Sequence, residues 1–209
     1  MNTQTITRSI EYDRAVRALL SLKPAHPSFE IEVWTDKTAY VIGDEITFFF
    51  KTNQDAYVTL VDVGSSGALK VIFPNRLQRN NLVKSGAIHA VPSKDIGFKV
   101  LVNGPVGSER IKAIATRAPW HIGGTDAPGF ATVSRGDPEG SQAIKKALKK
   151  IEAQSWAEGR TEILIFENEK APPVIERERQ IKPEPPEKPI DITGTPGIRS
   201  SGQKRDTRQ

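Results

Sequence analysis

Few side chains in this sequence could move a proton or hold a metal: three histidines, His26, His89 and His121, the adjacent acids Asp44 and Glu45, and Glu109. Nucleophilic catalysis needs a nucleophile with a base in reach. None of the histidines stands in a G-x-S-x-G or H-E-x-x-H pattern. His26 lies between Pro24 and Pro27, and His89 alternates with Ile88 and Ala90 as a strand residue would. His121 and Asp126, with Gly123-Gly124 between them, have the donor types for a metal or an anion. The closing Gly-Lys-Ser/Thr of a phosphate loop is missing, however, and a ligand-free loop is the favoured reading. Asp44 and Glu45 could act as an acid/base or metal pair. The favoured reading is a corner, in which Gly43 takes a positive φ and Asp44 accepts from neighbouring amides. Glu109 follows Gly107-Ser108 and reads as a turn cap or a cross-strand ion-pair partner. With no cysteine in the chain, thiolate catalysis, disulfides and Cys-ligated metals are excluded. We expect no catalytic residue, no cofactor and no metal. The enzymatic rival is an accessory domain with a carboxylate site drawn from Asp44, Glu45, Glu109 and residues 121–136.

Positioning such groups would fall to a β-rich framework. The segments 29–34, 45–51, 56–63, 68–73, 86–91, 97–102 and 110–116 read as strands, separated by turn-rich stretches such as GSSG and NGPVGSE. In 29–34, Phe29, Ile31 and Val33 face one way, and Glu30, Glu32 and Trp34 the other. Without βαβ alternation a parallel nucleotide-binding sheet is not expected. The fold class read here is mainly β, an antiparallel, immunoglobulin-like β-sandwich of about seven to eight strands. A helix precedes it from Ser9 to Lys23, with Tyr12, Val16, Leu19 and Leu20 on one face. A second helix starts at Asp137 as N-cap with Pro138 behind it, and lines up Ile144, Ala147, Leu148 and Ile151. The apolar strand 161–166 is expected at a sheet edge. Three regions result: a helix and proline linker over 1–28, the β-sandwich with its packed helix 138–155 over 29–168, and a proline-rich disordered tail over 169–209.

Charge points away from a nucleic-acid groove. The net charge is +5, with a pI near 9.4. Nine of the 30 basic and six of the 25 acidic residues lie in 170–209, which leaves 21 and 19 for the rest. Phosphate neutralisation needs a concentrated excess. The lysine pairs 145–146 and 149–150 read as a solvated helix face, with an anionic polymer, nucleic acid or lipid headgroup, as the alternative partner. Trp34, Trp120 and Trp156 read as packing anchors.

Two segments could meet a protein partner. After Phe73-Pro74-Asn75, a turn signal, the chain continues through Arg76, Arg79, Asn80 and Asn81, donors suited to a contact loop. In the tail, Pro183, Pro186 and Pro189 have PxxP-like spacing, with a plain spacer as the favoured reading.

YVIGDEI (40–46), DAYVTLVDV (55–63), IFPN (72–75) and GPVGSERIKAIATRAP (104–119) occur in an order that resembles the bacterial domain of unknown function 4384 family, over about residues 29–120. The family positions are Tyr40, Gly43, Asp44, Tyr57, Phe73, Pro74, Asn75, Gly107 and Glu109. The resemblance implies a small β-rich accessory module, common in exported or envelope proteins or fused to kinase- or protease-type domains. It carries no catalytic residues over. No apolar run is long enough for a bilayer-spanning helix. Residues 1–7 lack the features of a secretory signal, so the compartment is the cell envelope or exterior if a leader was removed, and the cytoplasm otherwise. The expectation for function is a non-enzymatic protein-interaction or structural module of a bacterial envelope or surface assembly. It would bind protein partners, a homo-oligomer or larger assembly included, with the first helix and the tail as attachment points.

Overall fold

A computed structural model of the chain describes residues 3–122 and 130–167. All of them belong to one compact unit. The elements run α1 (Thr3–Ser21), β1 (Ile31–Thr35), β2 (Ala39–Val41), β3 (Phe48–Thr52), β4 (Ala56–Val63), β5 (Leu69–Phe73), β6 (Leu82–Val83), β7 (Ile88–Val91), β8 (Gly107–Thr116), β9 (Ala131–Val133), α2 (Pro138–Glu152) and β10 (Trp156–Phe166). The fold is mainly β, with two helices and two sheets, and it is not a closed barrel.

The smaller sheet has the order β1-β3-β7. The larger has the order β2-β10-β8-β4-β5-β9, with β6 also paired to β4. Every pairing is antiparallel but one, because β2 runs parallel to β10. Those two strands are far apart in sequence, as parallel partners must be. The strand over 161–166 is therefore not at an edge: it belongs to β10, which lies between β2 and β8. Residues 97–102 do not form a strand either. They meet the corner at 43–46 through Gly43 N to Val102 O (2.8 Å), Val102 N to Asp44 O (2.8 Å) and Ile46 N to Val100 O (3.0 Å), with one isolated bridge, Glu45 to Leu101. These bonds satisfy the amide and carbonyl of Val102 and the carbonyl of Val100 without building a ladder.

Two apolar cores flank the larger sheet. The first holds Phe29, Ile31, Val33, Phe48 and Phe50 from the smaller-sheet side against Val58, Leu60, Ile111, Ala113 and Ile163. The strands come together closely at Gly159, where a Cβ would lie 2.7 Å from the backbone oxygen of Ile31. The opposite face carries Val61, Val71, Ile114 and Trp156, covered by Tyr12, Ala15, Val16 and Leu19 of α1 and by Ile144, Ala147 and Ile151 of α2. Complete burial of one such leucine or isoleucine contributes about 1.5–3 kcal/mol. Tyr12, Ala15, Val16 and Leu19 of α1 are thus used inside the protein, while Ile6 and Ile10 of the same helix are exposed.

Local chemistry fixes the ends of these elements. Asp137 accepts from the Glu139 (3.0 Å) and Gly140 (3.1 Å) amides and caps α2, as Pro138 follows at its first position. The helix ends at Glu152, and Ser155 is exposed in the link to β10. Lys112 is 1% exposed. Its ammonium pairs with Glu158 Oε2 at 2.5 Å and donates to the carbonyls of Leu20 and Leu22, closing the C-terminal end of α1. Burial holds the Lys112 ammonium below the usual lysine range, with the Glu158 carboxylate opposing that shift.

Candidate functional site

Strand register assembles one polar group inside the first core. Asp62 on β4 stands opposite Lys70 on β5, and on its other side opposite Ile111 on β8. Lys70 in turn faces Thr132 on β9, and Glu109 faces Ile163 on β10. Side chains alternate between faces, so Glu109, two residues before Ile111, shares the face of Asp62 and Lys70. Asp62 is 6% exposed and Glu109 is 3% exposed. Lys70 Nζ lies 3.7 Å from Asp62 Oδ2, beyond hydrogen-bonding distance. Asp62 Oδ1 has no hydrogen-bond partner.

These three residues line a cavity of about 220 Å³. Its lining is mixed: Ile46, Phe48, Val100, Phe130, Ile163 and Ile165 supply apolar surface, and Asn103 and Thr132 add polar atoms to the three charged groups. Burial, then the hydrogen bond and negative charge of Glu109, push the Asp62 carboxyl up to about 8, with Lys70 opposing the shift. That raised value keeps the Asp62 carboxyl largely protonated at neutral pH, because burial and the neighbouring negative charge both disfavour its ionised form. Gly64 makes room for the Glu109 carboxyl: a Cβ there would lie 1.9 Å from Glu109 Oε1.

The residues read from the sequence fall elsewhere, Glu109 excepted. Tyr40 is buried. Its hydroxyl accepts from the Lys37 amide (3.0 Å) and donates to Asp36 Oδ1 (2.9 Å), and burial drives it far above the usual phenol range. Gly43 takes φ 99° and Asp44 Oδ2 accepts from the Val41 amide (3.1 Å), which forms the corner. Neither Asp44, which meets Lys37, nor Glu45, which meets Lys99, lines the cavity. Asp44, Glu45 and Glu109 therefore do not form one site. Tyr57 pairs with Leu82 and Thr116 in the larger sheet. Phe73 packs on Phe50, and Pro74 is buried. Asn75 is buried and accepts from the Leu77 and Gln78 amides, both at 2.9 Å, which makes it a turn residue. Gly107 opens β8.

Arg76, Arg79 and Asn80 are exposed on the loop that Asn75 shapes, whereas Asn81 donates to the Val58 carbonyl (3.2 Å). His26 and His121 are exposed, and half-buried His89 stacks on Phe50. Trp120 and Trp156 share the helix-side core, and Trp34 stacks on Phe49 in the smaller sheet. Pro183, Pro186 and Pro189, the tail 169–209 expected to be disordered, and residues 123–129 of the 121–136 loop lie outside the described residues. Among the described residues, no group of three or more His, Asp or Glu is placed to hold a metal, and no helix is long and apolar enough to cross a membrane.

Asp62 and Lys70 had no role in the sequence reading. The available signal was a carboxylate between Val61 and Val63, in a strand that is apolar on both faces.

Residues 39–119 match the family model described as "Domain of unknown function (DUF4384)". This stretch is a DUF4384 domain. It runs from β2 through β8 and contains Asp62, Lys70 and Glu109. The DUF4384 region does not complete the cavity by itself, because Phe130, Thr132, Ile163 and Ile165 lie beyond its end. No curated protein and no solved structure matches the chain.

Proposed function

We propose that this chain is a non-enzymatic protein-interaction module of a bacterial envelope or surface assembly, built on an immunoglobulin-like β-sandwich. The sandwich reading rests on the first core, which lies between residues of the two sheets. The envelope reading rests on the DUF4384 region.

One observation carries the interaction reading. The helices pack against β4, β5, β8 and β9 on the outer face of the larger sheet. At its other end Ala39 and Val41 of β2 stand in register with Leu164 and Phe166 of β10, on the face away from Tyr40, Ile163 and Ile165. Leu164 is 45% exposed, and Ile42, which follows β2 and lies against Gly104, and Val106, which precedes β8, are each 44% exposed. Exposed apolar side chains next to an edge strand are a common feature of surfaces that bind another protein.

The test compares full-length wild type with Leu164→Lys by cross-linking and mass spectrometry on fractionated native cells. The expected result is one protein cross-linked beside β2 and β10, retained at high salt and lost in the variant at unchanged melting temperature. Recovery of nucleic acid or anionic lipid alone, released by salt, would instead favour an anionic-polymer binder using Lys146, Lys149 and Lys150, which are exposed on α2.

A further inference from the structure

The cavity beside Asp62 has an unbalanced charge. Among the described residues its charged groups are Asp62 from β4, Glu109 from β8 and Lys70 from β5. Residues 46–48, residues 100–103, β9 and β10 present no titratable side chain to it. With all three ionised, two carboxylates face one ammonium, and one buried negative charge remains uncompensated. A buried charge of that kind takes up a proton or a counter-cation. Lys70 forms an ion pair with Asp62 Oδ2 at 3.7 Å, which offsets one of the two negative charges and leaves Asp62 Oδ1 unpartnered.

We propose that this cavity is a binding site for a primary ammonium group on a short alkyl chain, which enters as RNH₃⁺ against Asp62 and Glu109 in place of a proton. The three N–H donors of an ammonium match acceptors on both carboxyls, and the alkyl stem lies against Ile46, Phe48 and Ile163. Size fits this class. About 220 Å³ is below the roughly 300–1,000 Å³ of sites for drug-sized ligands, and suits an occupant the size of one lysine side chain. The exchange balances in charge: one cation binds and one proton leaves to solvent. This site is separate from the exposed apolar side chains beside β2 and β10, so either reading can fail without the other.

The probe is n-pentylammonium, titrated calorimetrically into the full chain, with n-pentanol as its neutral counterpart. Binding should strengthen by about tenfold per pH unit between pH 6 and 8 and then level off, because the ligand stays charged while the site loses its proton. Two buffers of different ionisation enthalpy should show close to one proton released per ligand at pH 7, and almost none at pH 9.5. Asp62→Asn and Glu109→Gln, each isosteric, should separately abolish both the binding and the proton release, with folding checked by melting. A capped lysine, Nα-acetyl-lysine N-methylamide, distinguishes two sources of the ammonium: its binding assigns a partner's side chain, and binding of the free amine alone assigns a small metabolite. Three results would overturn the proposal: no binding by folded protein at pH 9, equal binding of n-pentanol, or binding unchanged in both variants.

Discussion

The Glu109 carboxyl occupies the space over Gly64 where a side chain would otherwise be: a Cβ there would lie 1.9 Å from Glu109 Oε1. Glycine at this position is what lets two carboxyls on neighbouring strands share one end of the core.

Gly64→Ala should therefore move Glu109 rather than break the fold. The atom in the way is the far end of a flexible side chain, so the stability cost should be small, about 1 kcal/mol or less. The clearer effect falls on Asp62. Without the hydrogen bond and charge of Glu109 beside it, its titration should shift downward from about 8, as read by NMR of the carboxyl carbon.

Asp62 also sets a pH dependence of stability. Its carboxyl is pushed up to about 8 in the folded chain, against an unfolded value near 3.9. Between these values the folded state holds a proton that the unfolded state has lost, so stability falls as pH rises through that window and levels off above it. Asp13 and Asp55, held low by Arg135 and Lys84, act with the opposite sign at acid pH. The difference between wild type and Asp62→Asn isolates the pair. The variant should lose the decline and be more stable at pH 9 by about 1–3 kcal/mol, measured by urea denaturation at a series of pH values.

Lys112→Met should loosen the first helix. It removes a donor to the Leu20 and Leu22 carbonyls, of which Leu22 keeps Arg160, and leaves Glu158 with Arg160 as its remaining ion-pair partner. A cost of about 1–3 kcal/mol is expected from the buried groups left unpaired. Hydrogen exchange in the last turn of α1 should quicken more than in β4. Equal change in both would mean that Lys112 acts on the whole core instead.

Tyr40→Phe tests the corner. The hydroxyl joins the Lys37 amide to Asp36, whose Oδ1 also accepts from the Thr47 amide at 2.8 Å. The aromatic ring stays buried in the variant, so the expected loss is that of the hydrogen bonds alone, about 1–2 kcal/mol by denaturant melting.

Much of the framework could be read from local residue chemistry. The 29–34 alternation predicted the buried face Phe29, Ile31, Val33, and residues 56–63 form a strand as expected. Asp137-Pro138 marked the start of α2, and Gly43-Asp44 marked the corner with its acceptor. The strands β2, β6 and β9 are three, two and three residues long, too short for alternation to show. Residues 97–102 have strand composition but meet the corner through three backbone hydrogen bonds and one isolated bridge rather than a ladder. For the cavity, Glu109 was recognised as a notable residue without its partner, and Asp62 and Lys70 carried only the weak mark of charge in apolar surroundings.

By itself the sequence determined which segments extend, where helices begin and which corner needs glycine, because these depend on residues within a turn or two of one another. Tertiary structure alone decided that β4 lies between β5 and β8, and that β10 runs inside the sheet rather than along its edge. Strand order is set by burial and pairing summed over distant segments, and no local pattern encodes that sum. The meeting of Asp62, Lys70 and Glu109 is a product of that order, since each sits on a different strand and register alone brings them to one face.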